Sequence, residues 1–171
     1  MEVKKKKKSF NFNSFLTKVL RASFKKTPMY HNTLAMAKEE YFVESKTGKP
    51  MRRVGFRCAG CKRRFREYLE LDKEPDVIQF EKVPKAIAEG RKKKIKMIAV
   101  DHVHPIVDPD EGFDGWGKYI QAHFFGECQV LCNYPGKIDD KESCHAVKTR
   151  EENAVRVQTR KKKKGKGRDA N

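Results

Sequence analysis

The sequence predicts an α+β fold with a small core stapled by cysteines. Three observations carry that expectation. Apolar residues recur at helical spacing in some stretches and alternate or run together in others. Hydrophobic residues make up only 37% of the 171 positions and charged residues another 37%, which is lean for a self-sufficient core. Five cysteines include the pair Cys58-x-x-Cys61 and the later Cys132 and Cys144, a supply of thiolates that can replace part of that core with a metal.

Taken in order, residues 1–9 are a lysine arm. Phe12, Phe15, Leu16, Val19, Leu20 and Phe24, with Lys18, Arg21 and Lys25 between them, predict an amphipathic basic helix over about 11–25. It could dock on the body, lie on DNA or contact a protein partner, docking on the body being the simplest. A second helix is expected through Asn32–Phe42 and a turn at Thr47-Gly48-Lys49-Pro50. Arg52–Phe56 reads as a strand leading to Cys58. The stretch 65–94 is ambiguous, with a strand expected at Val77–Phe80, a short helix at Pro84–Glu89 and a charged connection at Arg91–Lys94.

Lys96–Val103 is the clearest strand. Pro105, Pro109 and Gly112 mark a loop, Trp116–Phe125 a helix and Gln129–Leu131 a short strand. Asp139 or Asp140 is expected to cap a helix through about Asn153, and the lysine- and glycine-rich chain after Arg160 to be disordered. The division expected is a basic arm and helical extension over 1–50, a stapled domain over 51–153 with an insert at about 66–95, and a basic disordered tail over 154–171.

The formal net charge is +17. Residues 1–27 hold nine lysines and arginines against one acid, and residues 154–171 eight against one. A near-neutral body with two cationic arms points to a polyanion, with DNA as the expected partner. The apolar stretch Phe10–Phe24 is broken by polar and charged residues, so it is not read as a secretion signal. No run is long enough to cross a membrane. A reducing cytoplasm is therefore expected, with the cysteines as ligands rather than disulfides.

A two-residue gap lets Cys58 and Cys61 reach one ion, and Cys132 and Cys144 complete a four-cysteine structural zinc site. Cys128, four residues before Cys132, is a rival ligand. Ile98-Ala99-Val100-Asp101-His102-Val103-His104-Pro105 is a hydrophobic strand that ends in a carboxylate and an imidazole. With His145 on a basic helix downstream, it can hold one metal ion and one general base, the minimum for hydrolysing a phosphodiester. His104 is read as partly exposed and structural, His123 as packing, and Asp108, Asp110, Glu111 and Asp114 as a solvated acidic loop.

Taken together, Arg57–Cys61, Val100–Pro105, Gln129–Cys132 and Cys144–Thr149 make roughly Phe56–Asn153 resemble the HNH nuclease family, the ββα-metal fold, with bacteriophage members closest in look. The resemblance implies a DNA endonuclease, with homing enzymes among the relatives. Asp101 and His145 would hold a catalytic divalent metal, magnesium or manganese, with nickel or zinc as further candidates. His102 would be the general base. Lys148, Thr149 and Arg150 would contact the phosphate backbone.

The family's central Asn has no counterpart in Gly126-Glu127-Cys128-Gln129, and Asn133 comes slightly late; members vary at this position, and a backbone carbonyl could hold His102 instead. The resemblance also implies a monomer or weak dimer, acting in the host cytoplasm or nucleoid if phage-encoded, with a protein partner able to dock on the N-terminal extension. Two other readings stand beside it. One is a zinc-stapled nucleic-acid-binding module without catalysis. The other is a nuclease-like regulator docking on a phage or host protein machine.

Overall fold

A computed structural model describes residues 11–45, 47–108 and 110–166, the last five as backbone alone. The lysine arm at 1–9 and residues 167–171 lie outside the described residues. The chain opens with α1 (Phe12–Phe24), which Asn11 caps by accepting a hydrogen bond from the Ser14 N–H at 3.0 Å. Thr27 caps α2 (Pro28–Ala37) in the same way, with Pro28 in the first turn, where it costs no hydrogen bond. The helix expected through Phe42 stops at Ala37. Residues 38–44 instead form β1 (Lys38–Glu44), alternating exposed and half-buried positions and pairing antiparallel with β2 (Pro50–Arg57) from Lys38↔Phe56 to Glu44↔Pro50. Tyr41, Phe42 and Val43 favour a pleated surface, and the pairing overrides the helical preference of Lys38-Glu39-Glu40. Gly48, with φ of 73°, closes the hairpin. β3 (Arg64–Phe65) adds to β2, and Glu39 ties Arg57 to Arg64 across this sheet.

The insert is part of the core rather than an excursion. β4 (Tyr68–Glu70) pairs with β5 (Lys94–Lys96), burying Leu69 and Ile95. Between them, a 3-10 turn over Pro75–Val77 and the short α3 (Lys85–Ala88) hold Ile78 in the core. The strand expected at Val77–Phe80 shrinks to one bridge, in which Gln79 and Lys137 exchange two 2.8 Å backbone bonds. The single strand expected over Lys96–Val103 is divided at Met97, which bonds to Glu67 on one side and Asn133 on the other. The chain then continues as β6 (Ile98–His102).

β6 pairs antiparallel with β7 (Cys128–Cys132), from Ile98↔Cys132 to His102↔Cys128. Between them lies α4 (Trp116–Phe125). β8 (Lys137–Ile138) and β9 (Lys141–Glu142) make a hairpin. Asp139 and Asp140 are its two turn residues, with φ of 51° and 58°, the left-handed pair that a tight hairpin needs. They do not cap the last helix. Ser143 does: its hydroxyl accepts from the Ala146 N–H at 3.3 Å at the start of α5 (Cys144–Lys166). α5 does not stop near Asn153, and its backbone stays helical through Lys166 instead of becoming disordered after Arg160. No glycine or proline interrupts it before Gly165, and Lys148–Glu152 and Glu152–Arg156 pairs brace successive turns.

The main core gathers Phe65, Leu69, Ile78, Ile95, Ile98, Val130, Leu131, Tyr134 and Ile138 around Cys58 and Cys132. A second, aromatic cluster of Phe24, His102, Tyr119 and His123 joins α1 and α4 to the end of β6. α1 therefore docks on the body. No helix among the described residues is long and apolar enough to cross a membrane.

Candidate metal centre and adjoining cleft

Four elements deliver one sulfur each. Cys58 follows β2, Cys61 lies in the turn after it, Cys132 ends β7, and Cys144 opens α5. The four Sγ atoms lie within 4.8 Å of one another, and Cys61 and Cys132 are 4.0 Å apart. A tetrahedral zinc with metal–sulfur bonds of about 2.3 Å gives an edge of about 3.8 Å, so the quartet fits a structural ion such as zinc. The backbone is shaped to charged sulfur. The Cys132 N–H donates to Cys58 Sγ at 3.2 Å, and the Cys144 N–H donates to Cys132 Sγ at 3.1 Å. Gly60 sits so close that a Cβ there would meet Cys144 Sγ at 2.9 Å.

Without a cation the thiols share protons unequally. The Cys132 side chain pulls the Cys58 thiol down to about 4. The same contact, with burial, pushes Cys132 well above the ordinary thiol value, and burial raises Cys144. Four thiolates at this spacing need a cation to neutralise them.

Cys128 is not part of the quartet. It stands four strand residues from Cys132, about 13 Å at 3.3 Å per residue. Its thiol turns to Met29 Sδ and the Gly126 carbonyl, and burial pushes it up to about 11.

Beyond the far end of β6 opens a cleft of 390 Å³. Asp101 and His102 both line it, although neighbours on a strand normally face apart. β6 ends at His102, which lets both reach one space. His102 is 6% exposed, and its Nε2 lies 2.9 Å from the His123 carbonyl oxygen. A carbonyl only accepts, so Nε2 carries a proton, which in the neutral ring leaves the lone pair on Nδ1. The ring is clamped by Phe24 at 4.9 Å and His123 at 5.3 Å between centroids. The carbonyl that holds His102 comes from α4.

Asp101 is engaged by Lys148 Nζ at 2.9 Å, and Lys148 also binds Glu152. Burial opposes the charge on Lys148, but these two carboxylates outweigh it and raise its pKa above the ordinary lysine value. Thr149 lines the cleft beside them. His145 is half-buried at the start of the helical stripe that continues through Thr149, Glu152 and Arg156, but it is not among the residues lining the cleft. Arg150 pairs with Glu142 at 2.6 Å and is not among the residues lining the cleft. Lys148 reaches the cleft, but bound to carboxylates rather than free for phosphate. His104 lines the cleft as well.

Sequence reasoning missed Glu152, Arg156, Arg160 and Arg21, which complete the walls. Glu152 had a local signal, since it lies one turn after Lys148 and two after His145. Arg21 had none, because α1 reaches the cleft only through tertiary packing.

His123 is 3% exposed, and neither ring nitrogen has a well-formed hydrogen bond among the described residues. Burial pushes its imidazole below the ordinary 6.5, opposed in part by the Leu20 backbone. Below about pH 6.5 the unfolded chain takes a proton there that the folded chain resists, so this contribution to stability falls as pH falls. Wild-type protein should therefore melt several degrees lower at about pH 5 than at about pH 7. His123→Phe should retain the aromatic packing and the backbone carbonyl and show a smaller drop. Equal drops in the two melting curves would place the acid sensitivity elsewhere.

No protein-family model, curated protein or solved structure matches this chain.

Proposed function

We propose that the chain is a metal-dependent endonuclease that hydrolyses DNA phosphodiester bonds, similar in its chemistry to the HNH family. The observation that carries this reading is His102. It is a rigidly packed imidazole, with Nε2–H fixed on the His123 carbonyl and Nδ1 left as a base, beside a carboxylate in a cleft whose walls are rich in cations. Nδ1 takes the proton from the attacking water, and the fixed Nε2–H bond then favours the imidazolium.

Asp101 and His145 are the residues that would hold a divalent ion. Two protein ligands leave other positions to water and phosphate oxygen, which suits magnesium or manganese and leaves nickel and zinc as candidates. Such an ion, when bound, supplies Lewis-acid stabilisation of the charge developing on the phosphate. The thiolate quartet cannot do this work, because four protein ligands close a tetrahedral site. Lys148 neutralises Asp101 and Glu152 until then, and the Thr149 hydroxyl, which donates to the His145 carbonyl at 2.8 Å, would turn from it to a phosphate oxygen. The basic ends of the chain add salt-sensitive affinity for DNA by releasing counterions.

Supercoiled plasmid tests the reading. Purified protein with magnesium or manganese is expected to yield nicked or linear product, with none when no divalent ion is added and none from Asp101→Asn. One observation favours a second reading, a zinc-stapled nucleic-acid-binding module without catalysis: the Asp101–Lys148–Glu152 network already satisfies the carboxylate that a catalytic ion would need. Intact plasmid under every metal, with DNA binding retained, would select that module.

A further inference from the structure

The cleft holds more positive charge than its own carboxylates require. Its two acids, Asp101 and Glu152, are matched within the cleft by Lys148, which bridges them, and by Arg156, 3.7 Å from Glu152. Two guanidinium groups remain. Arg21 comes from α1 and Arg160 is the seventeenth residue of α5. Neither makes an ion pair among the described residues, and both are exposed. They come from different elements, and α1 reaches the site because Phe24, one turn beyond Arg21, is buried 4.9 Å from the His102 ring and 5.0 Å from the His123 ring. The contact that clamps His102 therefore also sets Arg21 in the wall of the cleft.

We propose that Arg21 and Arg160 are substrate-binding residues that hold backbone phosphates of the nucleic-acid strand entering this cleft, making α1 one wall of the binding site. This rests on the nuclease reading only for what happens to the strand, since the binding claim stands by itself. A guanidinium fits because its fork of donors matches two phosphate oxygens and it stays charged at any working pH. The surplus of two cations over the paired acids fits an anion with more than one charge along its length.

The test is equilibrium binding of a fluorescent DNA duplex across a range of salt, without added magnesium or manganese. Wild type is compared with Arg21→Gln, Arg160→Gln and Lys25→Gln, the last a lysine of the same N-terminal region that does not line the cleft. Arg21→Gln and Arg160→Gln are expected to weaken binding about five-fold or more at low salt. Each should flatten the slope of log affinity against log salt by about 0.9 per lost phosphate contact, with Lys25→Gln well short of both. If cleavage occurs, Arg21→Gln should raise KM with kcat nearly unchanged, and Arg21→Lys should recover part of the loss.

Arg21→Gln and Arg160→Gln binding no worse than Lys25→Gln would overturn the proposal. Arg21 is exposed, so its variant should melt as wild type does. A misfolded one leaves the decision to Arg160→Gln. Weakened binding in a protein that cuts no plasmid would retain the clamp and discard the nuclease. Normal plasmid cutting with unweakened variants would do the reverse.

Discussion

Stripping zinc from the cysteine quartet, where the protein carries it, is expected to unfold the middle of the chain rather than merely loosen a surface loop. The four thiols come from just after β2, the turn that follows, the end of β7 and the start of α5, so an ion held there would tie together elements up to 86 positions apart in sequence. Cys58 and Cys132 are nearly fully buried and belong to the main hydrophobic cluster. Structural zinc in small domains contributes on the order of 10–16 kcal/mol of apparent binding energy, while whole domains are stable by only about 5–15 kcal/mol. Loss of the ion thus removes as much as the fold has to spare. Circular dichroism should show loss of the cooperative melt when a strong chelator takes the metal, with one zinc released per chain by a colorimetric assay. Cys58→Ser should purify with little zinc and melt far below wild type. Cys128→Ser should keep its zinc. An unchanged melting curve in metal-free protein would refute the structural role.

His102→Gln is expected to lower cleavage by about 10²- to 10⁴-fold, the usual range for a positioned general base, or about 3–5 kcal/mol of barrier. Glutamine is the informative replacement. Its side-chain amide can still donate to the His123 carbonyl and fill much of the space between Phe24 and His123, but it offers no base at neutral pH. DNA affinity should hold within about two-fold of wild type, since the phosphate contacts are unaltered. Single-turnover cleavage beside a binding titration measures both. Activity within a few-fold of wild type would move the base to another group and sink the assignment.

Much of the outline could be read from the chain. α1 announces itself through Phe12–Phe24 spacing behind Asn11, and α4 lies between Gly115 and Gly126. The cysteine quartet follows from a short gap and two later thiols, and the strand geometry of β7 sets the rival Cys128 apart from it. The failures share one cause. Residues 38–44 carry helical composition and become a strand because β2 lies beside them. Asp139 and Asp140 can cap a helix or turn a hairpin, and the Lys137–Glu142 pairing decides for the turn. Arg21 enters the cleft through the burial of Phe24, and Lys148 meets Asp101 across 47 residues. No local pattern records contacts made at that distance. α5 is the exception, for its extension was written in its own helix-forming residues and was overlooked in favour of their charge.

Cys144 and His145 are consecutive in α5, one among the thiols and the other at the head of the stripe that forms a cleft wall. At 1.5 Å per residue the 23-residue helix is about 34 Å long, and it is pinned at the sulfur end. It therefore acts as a rigid beam seated in a sulfur socket. Peroxide or a thiol-seeking heavy metal that unseats Cys144 would swing His145, Lys148, Thr149 and Glu152 together. Oxidative damage to a half-buried anchor would then register as loss of function at a distance, before any residue of the cleft had itself reacted.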